Sequence, residues 1–182
     1  MKALTEYRWN DSGLSDNQNC LEFAKVLAYT LEEKDPYTSG HSERVCYYSD
    51  FISKRLSLQS KDRTELQIAS YLHDIGKIGI PESIVRKAGP LTKREREIVK
   101  EHPILGYELI KEFDFLKKAA LVVLFHHENY DGSGYPYGLV GEEIPLEARI
   151  FALADALDAM TSDRPYSEGI SFEEASKEIE KA

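Results

Sequence analysis

Apolar residues along this chain recur mostly three and four positions apart, the period of a helix with one buried face. Leu21, Ala24, Leu27, Ala28 and Leu31 fall on one such stripe. Asp35-Pro36 ends it, because the residue before a proline is pushed out of the α region. After the Thr38-Ser39-Gly40 turn, His41 opens a second helix with Val45, Tyr48, Ile52 and Leu56 on its stripe. A third is expected from about Asp62 to His73. Gly76 follows and is expected to end it through left-handed backbone angles.

Further on, Thr92 and Glu95 form a Thr-x-x-Glu capping box for a helix expected to end near His102-Pro103. Leu105, Leu109 and Ile110 suggest a short helix, and Leu116, Ala119, Ala120, Val123 and Leu124 another that ends at Phe125-His126-His127. Asn129 to Ile144 is rich in Gly, Pro and Tyr, the composition of a long ordered loop. Leu146 to Thr161 is apolar nearly all round, so that helix is predicted to be central. Ser171 and Glu174 cap a last, charged helix. No stretch alternates like a strand and no repeat is present. The expected fold class is all-α, with residues 18–182 as one domain and 1–17 as a loose lead-in or linker remnant.

Composition narrows the partners. The chain has 182 residues, enough for one domain with a sizeable core. Its net charge of -9 argues against a nucleic-acid polymer, which needs a basic face, and against an anionic membrane surface. An anionic substrate would need local cations to overcome that field. Two cysteines, Cys20 and Cys46, make no disulfide framework and suggest a reducing compartment. The longest apolar run, Ala119 to Phe125, is too short to span a bilayer. A cytoplasmic location is expected.

The candidate chemistry lies in the five histidines, His41, His73, His102, His126 and His127. Each falls at or near a predicted helix end, and Asp74 stands beside His73. One such histidine is ordinarily a satisfied core or surface residue; five so placed point to a metal centre. Asp155 adds to the set. It interrupts an apolar run with no lysine or arginine within one turn, and a buried unpaired carboxylate is costly, so a cation is its expected partner. Asp158 shares its face and is expected to support a ligand or hold a loop. With Asp74 bridging, the set suffices for two ions, each keeping open positions, an arrangement suited to in-line displacement at phosphorus. Imidazole with carboxylate suits iron, manganese or zinc rather than calcium.

The tracts Gly40-His41-Ser42-Glu43-Arg44-Val45, His73-Asp74-Ile75-Gly76-Lys77, His102-Pro103 and His126-His127-Glu128 occur in that order. Asp131-Gly132-Ser133-Gly134-Tyr135-Pro136 and Asp155-Ala156-Leu157-Asp158-Ala159-Met160-Thr161 follow. Together they resemble the HD-GYP family, a branch of the HD-domain metal-dependent phosphohydrolases, over residues 20 to 180. The resemblance implies a helical HD-type fold, a bacterial signalling role, and hydrolysis of cyclic di-GMP to pGpG and often on to GMP. It implies two divalent transition-metal ions, iron or manganese foremost. One ion would take His41, His73, Asp74 and Asp155; the other Asp74, His102, His126 and His127. Lys77 would contact phosphate, and Tyr135 and Arg164 would contact substrate.

The residues permit each role. A lysine and an arginine fork suit a phosphodiester as charge builds in the transition state, and a tyrosine ring can stack on guanine. Lys77 could instead be solvated, Tyr135 could simply pack the loop, and Gly132 and Gly134 could simply make turns.

Three departures accompany the resemblance. Some members hold a third ion with a glutamate one turn before the first histidine; Tyr37 stands there, so two ions are expected. Ser167-Glu168 replace a basic residue that members often carry after Arg-Pro-Tyr. The chain stops at Ala182 without the usual Gly- and Phe-containing tail, as expected of a trimmed end or an excised domain. Two rival readings are an HD-type phosphohydrolase acting on another nucleotide, and a non-catalytic signalling module that binds regulatory partners such as diguanylate cyclases.

Overall fold

The structure, a computed structural model, describes residues 16–32, 40–163 and 168–180. The expected lead-in up to residue 15, Tyr37 and Arg164 lie outside the described residues. Nine α-helices run through the described residues: α1 (Asp16–Glu32), α2 (His41–Arg55), α3 (Ser60–Leu72), α4 (Glu82–Val85), α5 (Lys93–Val99), α6 (His102–Ile110), α7 (Lys117–Phe125), α8 (Leu146–Thr161) and α9 (Phe172–Ile179). Short 3-10 turns occupy Ile75–Gly79, Asp114–Leu116 and Gly141–Glu143. Strand-like pairing among the described residues is one isolated antiparallel bridge, Asp131 with Val140. The all-α class is therefore the observed one. No described helix is long and apolar enough to cross a membrane.

The hub is α3 rather than α8. It packs against α1, α2, α7 and α8, and its Leu66, Ile68, Ala69 and Leu72 are all buried. Val45 of α2, Val122 and Val123 of α7, and Phe151 and Ala154 of α8 complete the same core. Burying each large side chain there is worth about 1.5–3 kcal/mol. The expectation that α8 would be central fails because one side stays open: Leu146 and Leu153 are exposed, and Asp155 faces a cleft.

Both expected capping boxes form. Thr92 accepts from the Glu95 N–H and Ser171 from the Glu174 N–H, with each glutamate returning the contact. The first box, however, starts a helix that ends at Val99, not near His102. His102 instead opens α6, with Pro103 in its first turn, where a missing N–H costs nothing. Gly76 also differs from expectation. It is absent from the glycines with positive φ and lies in the 3-10 turn Ile75–Gly79, packed against the start of α6.

Candidate metal centre

Three imidazoles are oriented by their own chain. The Nδ1–H of His73 donates to the Ser70 carbonyl at 2.9 Å, that of His102 to Val99 at 2.7 Å and that of His126 to Val123 at 2.7 Å. Each acceptor lies three residues back. His73 and His126 are the C-caps of α3 and α7, where the last carbonyls lack helical partners. For His102 the acceptor is freed by Pro103, which has no N–H to give to the carbonyl four residues before it. In each ring, Nε2 is left as a lone-pair donor.

Those lone pairs converge. His102 Nε2 and His126 Nε2 stand 3.1 Å apart with neither able to offer a proton. One donor atom from each of His102, His126 and His127 lies within 4.8 Å of the others. Buried lone pairs held face to face need a cation or a proton between them. Protonation is opposed: burial, joined by the neighbouring imidazoles, pulls His126 well below its ordinary value and His127 down to about 3. Burial also lowers His102. A neutral, nitrogen-rich cluster that resists protons is a fit host for a divalent transition metal.

Asp74 joins this cluster to a second group of donors. One carboxylate oxygen lies 3.3 Å from His102 Nε2, and the other lies 3.2 Å from His73 Nε2 and 2.7 Å from Lys77 Nζ. Burial alone would push its carboxyl up. Lys77 and the flanking imidazoles outweigh that and hold it well below the usual carboxylate range. His73 behaves oppositely: burial disfavours its charged form, yet Asp74 and Asp155 raise it. On the far side, His41 Nε2 lies 3.4 Å from Asp155 and its Nδ1 donates to Asp158 at 2.8 Å. Asp155, expected to be buried with a cation as its partner, is instead partly exposed at the cleft, with His41 Nε2 beside it.

A cleft of about 540 Å³ gathers nearly the whole set: His41, His73, Asp74, Lys77, His102, His127, Tyr135 and Asp155 all line it. His126 lies beneath, 2% exposed. Lys77 points into the cleft but also pairs with Asp74. The Tyr135 ring stacks on His127 with centroids 4.7 Å apart, and Lys100 sits over it. Arg164 lies outside the described residues.

Several residues that shape the cleft were not singled out in the sequence. Glu128 is buried and accepts the N–H groups of Tyr137 (2.7 Å) and Leu139 (3.0 Å), tying the Gly-Tyr-Pro loop to the end of α7. Glu32 accepts the N–H groups of Gly40 and Ser42, the two neighbours of His41. Arg44 clamps Asp158. Glu128 and Arg44 both stand inside the motif tracts, one beside the His-His doublet and the other on the helix that His41 opens, though the Arg44 partner lies 114 residues away. Glu32 acts from 8 and 10 residues upstream through a side chain that no local pattern marks.

The family model for the HD domain matches residues 25–182. The cyclic di-GMP phosphodiesterase response regulator RpfG of Xanthomonas campestris is 46% identical over 151 residues, 82% of this chain and 40% of that protein. A cyclic di-GMP phosphodiesterase of Thermotoga maritima is 44% identical over 161 residues, 87% of this chain and 44% of that protein. The chain thus spans under half the length of these relatives. Among solved structures, a cyclic GMP-AMP specific phosphodiesterase of Vibrio cholerae superposes with a TM-score of 0.65, covering 88% of this chain and 44% of that one. At 22% identity that likeness bears on fold. The shared helical fold, the matched model and the histidine-aspartate cleft agree: this chain belongs to the HD domain family.

Proposed function

We propose that this domain is a metal-dependent phosphodiesterase that hydrolyses cyclic di-GMP to the linear dinucleotide pGpG, with GMP as the product of a second cut. The carrying observation is the pair of facing Nε2 atoms of His102 and His126, 3.1 Å apart beside Asp74, a donor set that calls for a cation. The relatives named cyclic di-GMP phosphodiesterases supply the substrate class.

In this reading one ion is held by His41, His73, Asp74 and Asp155, and the other by Asp74, His102, His126 and His127. The two oxygens of Asp74, turned towards His73 and His102, support the bridging role. Iron or manganese suits the donors. When bound, the ions supply Lewis acidity towards the phosphoryl oxygens. Lys77 lies close enough to share the cleft with a phosphodiester, and with Arg164 it offsets charge on the equatorial oxygens. Tyr135, backed by His127, presents a ring edge or face to a guanine. Asp74, held ionised, is not a proton source at neutral pH. A cytoplasmic signalling role, with regulatory or diguanylate cyclase partners, accompanies this reading.

The test is turnover of cyclic di-GMP by the purified protein with added Mn(II) or Fe(II), products separated by chromatography, beside Asp74→Ala. Metal-dependent product lost in the variant is expected. Preferred turnover of nucleoside triphosphates or of cyclic GMP-AMP would reassign the substrate. A metal-loaded protein that turns over no nucleotide would favour a binding module.

A further inference from the structure

His41 is the exception among the oriented histidines. His73, His102 and His126 each lean on a carbonyl three residues back, but His41 opens its helix after Gly40 and makes no such bond. Its ring is held instead by Asp158, 117 residues further along the chain. We infer that Asp158 is a positioning residue that presents His41 Nε2 to one of the two ions, and that Arg44 and Ser162 fix Asp158 for that task. This rests on the two-ion reading above.

Asp158 is 1% exposed, yet its carboxylate is fully employed. It accepts from His41 Nδ1 at 2.8 Å, from Arg44 Nε at 2.5 Å and Nη2 at 3.2 Å, and from Ser162 Oγ at 3.0 Å. Arg44 supplies the countercharge from the cleft rim, so the buried carboxylate does not depend on His41 for charge balance. His41 thus serves as a hydrogen-bond donor on Nδ1 and is free to offer Nε2 beside Asp155. Its backbone is held as well. Glu32 accepts the N–H groups of Gly40 at 2.9 Å and Ser42 at 3.0 Å, tying both neighbours of His41 to α1. Three helices thereby converge on one ring: α1 through the backbone, α2 carrying the residue, and α8 through Asp158. The same carboxylate binds Ser162, the C-cap of α8, so one group orders a ligand and the end of that helix.

The prediction is selective. Asn at position 158 can still accept from His41, but it loses the charge and turns an NH2 group among the Arg44 and Ser162 donors. In Asp158→Asn, the ion at His41 and Asp155 should bind about 10–100-fold more weakly, while the ion at His102, His126 and His127 is retained. Mn(II) titration of metal-stripped protein, followed by electron paramagnetic resonance, reads both steps. Arg44→Lys, which keeps a charge but not the fork, should fall between wild type and Arg44→Ala. Unchanged circular dichroism and thermal midpoint would separate positioning from unfolding. If Asp158→Asn does not fold, the Arg44 series alone carries the test. Two ions at wild-type affinity in Asp158→Asn and Arg44→Ala, or equal loss of both ions, would overturn the inference. A wild-type protein binding a single ion overturns the two-ion reading itself, and the inference with it.

Discussion

Gly76 lies directly beneath His102: a Cβ at position 76 would stand 2.0 Å from the His102 carbonyl oxygen and 2.5 Å from the Gly106 nitrogen. The 3-10 turn that follows the His-Asp pair therefore meets the helix carrying the next histidine backbone to backbone. Separation of Asp74 from His102 is fixed by the absence of a side chain at one position. Gly76→Ala should cost at least the 1–3 kcal/mol typical of overpacking. It should also push His102 away from Asp74. Chemical denaturation and metal content measured on the same sample should both fall, and loss of stability with full metal content would contradict the coupling.

Lys77 lines the cleft and contacts Asp74 without belonging to the nitrogen cluster. Lys77→Ala should lower kcat by about 10²–10³, the usual cost of removing one group that offsets transition-state charge. Metal content should stay at the wild-type level. Atomic absorption beside steady-state kinetics checks both halves.

The metal-free protein should lose stability in mild acid. Burial holds His127 at about 3 and keeps His126 well below its ordinary value. Their unfolded counterparts take up protons near 6.5. As pH falls from about 6.5 towards 3, the unfolded chain binds protons that the folded one refuses, so stability present above 6.5 drains away. His73, whose value is raised, works in the opposite sense and blunts the effect. Urea midpoints measured in chelator from pH 7.5 to pH 5 should decline, and His127→Asn should flatten the slope.

Glu128 fastens the Tyr137 and Leu139 N–H groups from a buried position. Glu128→Ala leaves both unpaired, at about 1–3 kcal/mol each if they stay buried. Loosening of the loop should raise KM more than it lowers kcat, because Tyr135 belongs to the loop and not to the nitrogen cluster. Faster amide exchange across residues 135–141 is the structural readout.

Much of this site was readable in the residues because its signals are local. Thr92 with Glu95 and Ser171 with Glu174 marked helix starts that the structure reproduces. The histidines were placed at helix ends, and His41, His73, His102 and His126 indeed stand there. What escaped depends on three-dimensional neighbours. The break between α5 and α6 is hidden because Lys100 and Glu101 keep helical backbone angles across it. Gly76 reads locally as a helix terminator, yet its job is close packing against a helix that begins 26 residues later. α8 looks central from its apolar sequence, but its charged face fronts a cleft, which periodicity alone does not reveal.

The bonds from His73, His102 and His126 to carbonyls three residues back have a practical reach. Ring orientation there is a property of single helix ends, each ring aimed by a carbonyl of its own chain. Exchange of one divalent ion for another would then leave these three rings aimed as they are, because the chain and not the ion aims them.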